Sequence, residues 1–278
     1  MCKIVQMKRG VYILSILLFI AVSAIAQNSN AILAKAISDS PTTVNESEKN
    51  GYNSSEIDIF LSTARDKSIP ELEEYKSSLL EFIQKMADKN VRNEKYFLEN
   101  LFYKVHNKYL KHYTNYVTFD EIFNKGYYDC VTGTALYALI LNELGYDYSI
   151  YESDFHVLML VKIHNEEFLF ESTDFNAGFI DDPDQIRIRL SQYESMNMEK
   201  SDSHYNYQIN NNRFISTRQL AGLLYFNLAV EQYNEQNFTY ANFYLEKAEL
   251  LYPGSRINEL KELINKMARA EQSFSLNR

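Results

Sequence analysis

The chain has 278 residues, 46% of them hydrophobic, 23% charged and 14% aromatic, with 8 Gly, 4 Pro, 2 Cys and no Trp. That suits one large domain or two small ones around a sizeable core, and it excludes collagen-like, mucin-like and disulfide-rich chains. With 28 Lys and Arg against 37 Asp and Glu the net charge is −9, the wrong sign for general attraction to phosphate backbones or anionic lipid, so nucleic acid is excluded as a partner.

Residues 1–26 set Lys3, Lys8 and Arg9 before an apolar run that starts at Val11 and ends in the A-x-A pattern of Ala24 and Ala26. This is the signature of a secretory signal peptide, with a mature start at Gln27. The apolar run, 11–26, falls short of the roughly 20 residues of a spanning helix. The reading is an exported protein, periplasmic or secreted, with no stable membrane insertion after cleavage. Cleavage removes three cations and no anion, which leaves 25 cations against 37 acidic residues, −12 net. It also removes Cys2, so Cys130 is the one cysteine of the mature chain. An unpaired thiol in an oxidising compartment is a liability unless it is buried or used.

Residues 27–55 are rich in Asn, Ser, Thr and Glu without an apolar period and read as a flexible leader. From 56 to about 113 the period is helical. Ser68 and Pro70 mark a start, with Leu72, Tyr75, Leu79, Phe82, Ile83 and Met86 on one face. A second helix carries Tyr96, Phe97, Leu101, Val105 and Tyr109 in the same way. Thr118 with Glu121 makes a capping-box start for a short helix that Gly126 breaks. Cys130 then opens a strongly apolar helix (Ala135, Leu136, Leu139, Ile140, Leu144) stopped by Gly145. The rhythm changes to β with YDYSIYES, HVLMLVKI and EFLFEST, the last two separated by a turn near His164-Asn165. Both faces of HVLMLVKI are apolar, so it reads as a central strand covered on each side. Residues 181–213, with DDPD and MNMEKSDSH, read as a polar connector. Helical period returns at Thr217 and runs almost to the end, within a helical region set at 214–278. The fold class is α+β.

Cys130 at a helix N-terminus meets free N–H groups and a dipole that favour a thiolate. A strand beginning at His156 brings an imidazole as base, and Glu171 or Asp174 on the return strand supplies the acid that orients it. A two-residue hairpin turn puts Glu171 on the face of His156, and a three-residue turn puts Asp174 there. No glycine-rich phosphate loop and no nucleophile elbow is present. His106 and His112, six apart, do not share a helical face, so neither a metal nor a cofactor is expected. The 22 tyrosines read first as packing.

The stretch YYDCVTGTALYALILNELGY resembles the Cys-bearing helix of transglutaminase-like (papain-like) domains, and HVLMLVKIHNEEFLFEST resembles their His-led strand and its return strand. The likeness spans roughly 118–174, within a domain set at 56–180. It departs in having Leu158, not an aromatic, two residues after His156, and Glu in place of the usual Asp. The resemblance implies a Cys130–His156–Glu171 triad acting on a peptide or protein amide, as a peptidase or by acyl transfer. The Cys130 N–H would be one oxyanion donor, with Tyr127 or Tyr128 near enough to be another. The family also holds inactive members, so a non-catalytic binding or scaffold module is the alternative. Residues 223–255 resemble one tetratricopeptide repeat, with Ala229, Ala241 and Ala248 at close helix contacts, Phe238 in the turn and Gln236 where Gly is usual. A transglutaminase-like domain followed by such helices resembles the SirB1-type arrangement, with 214–278 offering a surface to a protein partner. One repeat is too few for an array of its own, so this pair is expected to dock on the preceding domain and complete its fold.

Overall fold

A computed structural model describes residues 54–89, 91–199 and 213–276. The expected signal peptide, 1–26, and residues 27–53 of the expected leader lie outside the described residues. Three helices come first: α1 (Ser54–Leu61), α2 (Ile69–Ala87) and α3 (Glu94–Tyr109). Ser68 caps α2, with Glu71 completing the capping box, so the sequence signal for its start is used as written. The face of α2 predicted to be apolar is buried at Leu72, Leu79, Phe82, Ile83 and Met86. Helix α3 buries Phe97, Leu101, Val105 and Tyr109 but leaves Tyr96 exposed. Next, β1 (His112–Tyr113) pairs in parallel with β2 (Tyr127–Tyr128), and the short α4 (Glu121–Asn124) lies between them in sequence. Gly126, at φ 70°, takes the left-handed conformation that ends α4.

Helix α5 (Cys130–Glu143) buries every residue from Val131 to Leu141. A helix apolar all round has to be covered all round, and α5 is packed between the sheet and the C-terminal helices. The sheet is formed by β3 (Asp147–Glu152), β4 (Val157–Ile163), β5 (Glu166–Phe170), β6 (Phe179–Ile180) and β7 (Arg213–Ile215). Its strand order is β6-β5-β4-β3-β7, antiparallel throughout. The expected central strand is β4. Val157, Met159 and Val161 point into the main core, while Leu158 and Leu160 point the other way, into a smaller cluster with Tyr151, Leu169 and Ile186.

That second cluster corrects the connector reading of 181–213. Its first half is a helix, α6 (Pro183–Glu199). Asp182 accepts from the N–H groups of Asp184 and Gln185, both at 2.9 Å, which starts the helix. Ile186, Leu190 and Tyr193 recur at i, i+4 and i+7 and lay it on the sheet's second face. A three-residue stripe inside an acidic segment is too thin to register as composition, and the sheet beneath it supplies the partner.

The chain closes with α7 (Thr217–Asn234), α8 (Phe238–Leu251) and α9 (Ser255–Leu276). The α7–α8 turn puts Gln236 at φ 62°, the left-handed position where glycine is usual. Phe238, expected in that turn, instead opens α8. A Cβ on Gly222 would lie 2.4 Å from Tyr252 Cβ, so α7 and the end of α8 approach closely only because that side chain is absent. A single hydrophobic cluster runs from Ile57 through α5 and the sheet to Ile264. The C-terminal helices therefore complete one core with the α+β part, as expected, and do not form a separate array. Among the described residues no helix is long and apolar enough to cross a membrane.

Candidate active site

Cys130 is the first residue of α5, and its predecessor Asp129 is the N-cap. The Asp129 carboxylate accepts from Thr132 N at 2.8 Å and Thr132 Oγ1 at 2.9 Å, and Asp129 N donates to Thr132 Oγ1 at 2.9 Å. The helix can begin this close to the return strand because of Gly133. A Cβ there would meet Ser172 Oγ at 2.8 Å and Ser172 Cβ at 2.9 Å. The residue next to Ser172 is Glu171.

The β4–β5 register pairs Ile163 with Glu166 and Met159 with Phe170, so the hairpin turn is the two residues His164 and Asn165, with His164 at φ 53°. His156 stands just before β4, and Glu171 just after β5, in place of the strand positions expected for them. The parity of a two-residue turn sets both on one face, and His156 Nε2 lies 2.5 Å from Glu171 Oε1. Asp174, the alternative acid, is not on the imidazole. It accepts from Ala177 N at 2.9 Å and faces Arg189 Nη2 at 3.5 Å. Glu171 N donates to Gly178 O at 2.8 Å, which closes the loop that carries both acids.

Cys130 and His156 both line one cavity of about 540 Å³. Its other walls come from Tyr113, from Leu223 and Phe226 on α7, and from Arg256 on α9, so the C-terminal helices form part of the site. Arg256 Nη1 lies 3.1 Å from the fully buried Glu152, which also accepts from Arg213 Nε at 3.2 Å and from Tyr252 Oη at 2.7 Å. Tyr127 and Tyr128, expected near the oxyanion, do not line the cavity, and Tyr113 does.

The electrostatics differ from the thiolate expectation. Burial, then the neighbouring Asp129 carboxylate, push the Cys130 thiol well above its ordinary range, against backbone N–H bonds from Val157 and Val131 that act the other way. Asp129 is itself pushed up to about 6 by burial, despite the bonds it accepts. Burial would raise Glu171 as well, but its bonds from His156, Tyr193 and Thr173 hold it below the usual carboxylate value. The resting site thus pairs a protonated thiol with an ionised acid.

Three contacts on Glu171 were absent from the sequence reading: Thr173 Oγ1 donates to Oε1 at 2.7 Å, Tyr193 Oη donates to Oε2 at 2.7 Å, and Arg189 Nη1 lies 4.0 Å from Oε2. The Tyr193 ring also stacks on the His156 ring, with centroids 4.6 Å apart and planes at 17°. The signal that could have found Tyr193 is the i, i+4, i+7 stripe of α6. Among the described residues no group of three or more His, Cys, Asp or Glu side chains is gathered to hold a metal ion. No protein-family model, curated protein or solved structure matches the chain.

Proposed function

We propose that this chain is an exported, transglutaminase-like thiol enzyme that acts on a peptide or protein amide through Cys130, His156 and Glu171. The observation that carries the reading is that His156, held 2.5 Å from Glu171, lines the same cavity as a cysteine at a helix start. With Nε2 held as the donor to Glu171, Nδ1 keeps the free lone pair and is the base. Sγ attacks the carbonyl carbon while Nδ1 takes the thiol proton. As the first residue of α5, Cys130 offers an N–H with no partner inside the helix to the resulting oxyanion. Tyr113, a phenol on the cavity wall, is the candidate second donor. The imidazolium then protonates the departing amine and leaves an acyl-cysteine. Water resolves that thioester in a peptidase, and a second amine resolves it in acyl transfer.

The test is acylation by p-nitrophenyl acetate. One p-nitrophenolate is released per chain in a burst and the acetyl group is found on Cys130; Cys130→Ala abolishes the burst and His156→Ala slows it ~100-fold or more. Absence of acetyl on Cys130 in the folded protein overturns the proposal. A second reading, a non-catalytic binding module, is favoured by the raised thiol beside Asp129. It requires Cys130→Ala to keep both the protein partner and the biological effect.

A further inference from the structure

From the packing of α6 on the sheet we infer that Tyr193 is the positioning residue of the site, holding the His156 ring and the Glu171 carboxylate in one geometry from outside the cavity. The inference rests on the thiol-enzyme reading and adds to it a group that touches neither substrate nor sulfur, since Tyr193 is not among the cavity-lining residues. Two independent contacts carry it. The phenol ring lies nearly parallel to the imidazole at 4.6 Å, which leaves that ring little freedom to rotate about its outer bonds. The hydroxyl donates to Glu171 Oε2 at 2.7 Å, while Oε1 receives His156 Nε2 and Thr173 Oγ1. One side chain therefore fixes both planes of the dyad.

The helix that brings it is built for the purpose on one stripe. Ile186 and Leu190 anchor it in the small cluster on the second face of the sheet, and Arg189, on the same stripe, reaches Glu171 and Asp174. The acid–base half of the site is thus assembled by a segment 22 residues beyond Glu171, and loss of that docking would free both groups while leaving Cys130 in place. Around the pair stand Cys130 from α5 and its N-cap Asp129, Tyr113 from β1, Asp154 before β4, and Arg189 from α6. All of these remain unchanged in the variants below.

The test compares Tyr193→Phe, Tyr193→Leu and His156→Ala with the wild type, measuring Cys130 acylation by p-nitrophenyl acetate across pH, with circular dichroism to verify folding. Tyr193→Phe keeps the stack and loses only the hydroxyl donor. Its plateau rate stays within about threefold of wild type. The pH midpoint of the rate rises by about one unit, because the carboxylate charge that the hydroxyl had shared falls wholly on the imidazolium. Tyr193→Leu loses both contacts, and its plateau falls ~10-fold to ~100-fold. A residue that only packs would alter unfolding and leave the midpoint alone. A wild-type midpoint in Tyr193→Phe overturns the inference, and that variant decides the case by itself if Tyr193→Leu does not fold. Equal acylation of Cys130 in wild type and His156→Ala would instead overturn the thiol-enzyme reading, and this inference with it.

Discussion

Asp129→Asn isolates the buried carboxylate beside Cys130. Asp129 is 3% exposed, and burial raises its carboxyl from 3.8 to about 6. In the unfolded chain the group loses its proton near 3.8, in the folded chain near 6, so between those values the native state binds the extra proton. Stability is therefore fully present below the unfolded value and is lost as pH rises through the folded one. Two units correspond to about 3 kcal/mol at most. Asn is as good an N-cap as Asp and still accepts from Thr132 N, so the variant keeps the helix start without the buried charge. Urea unfolding at pH 7.5 should show the variant more stable by up to ~3 kcal/mol, shrinking towards zero near pH 4. The comparison has to be variant against wild type, because His106 titrates over much of the same range with the opposite sign. Equal stability at both pH values, or a uniform loss, would refute the argument that burial outweighs the cap's hydrogen bonds.

His106, 2% exposed and packed against Phe102 and Phe175, is held down to about 4 by burial, and its Nε2 has no hydrogen-bond partner among the described residues. The unfolded chain takes up that proton below about 6.5 and the folded chain only near 4, so stability is lost as pH falls through this window. His106→Phe should be the more stable form by up to ~3 kcal/mol at pH 4 and little changed at pH 7, read from urea midpoints. Glu152→Gln leaves Arg213 and Arg256 facing a neutral amide between the sheet and the C-terminal helices. The expected loss is about 3 kcal/mol in chemical unfolding, and a loss under 1 kcal/mol would make the cluster incidental. Gly133→Ala gains helix propensity of up to ~1 kcal/mol but forces Cβ onto Ser172, 2.8 Å from its Oγ. A net destabilisation of about 1–2 kcal/mol with slower Cys130 acylation is expected, and a stabilised variant with wild-type acylation would contradict it.

What could be read from the chain and what could not divides by the range of the interaction. The Ser68–Pro70 start of α2, the glycine stops at Gly126 and Gly145, and the two-faced strand β4 are written in neighbouring residues and were legible. That Glu171 and not Asp174 meets His156 was legible too, conditionally, since parity turns on whether His164-Asn165 is the whole turn. The cluster on Glu152 was not, because Arg213 and Tyr252 lie 61 and 100 residues away. Tyr193 was missed for a different reason: its helix shows one thin apolar stripe in a segment that average polarity marks as a connector, and only the second face of the sheet gives that stripe something to cover. Asp129 stands beside Cys130 in the sequence, but its effect on the thiol depends on the cap it makes with Thr132, which sets a carboxylate against the helix N-terminus.

The magnitudes decide the starting state of the site. A helix terminus acts as about half a charge and is worth about 0.3–1 kcal/mol at an exposed position, under one pKa unit. Asp129 sets a carboxylate against that same terminus, and desolvation of the half-buried Cys130 pushes the thiol in the same direction. The dipole loses, and Cys130 rests as a thiol. In the reading proposed here, deprotonation then waits for a carbonyl at the sulfur, when His156 can take the proton as the new bond forms. Oxidation and disulfide exchange both proceed through the thiolate, so the same arrangement slows both at Cys130. Asp129→Asn removes the carboxylate that is the second cause of the raised thiol. It should therefore make Cys130 several-fold faster to oxidise with hydrogen peroxide at pH 7.5, read as sulfenic-acid trapping by mass spectrometry. A variant no more oxidisable than the wild type would mean that burial alone keeps the thiol protonated.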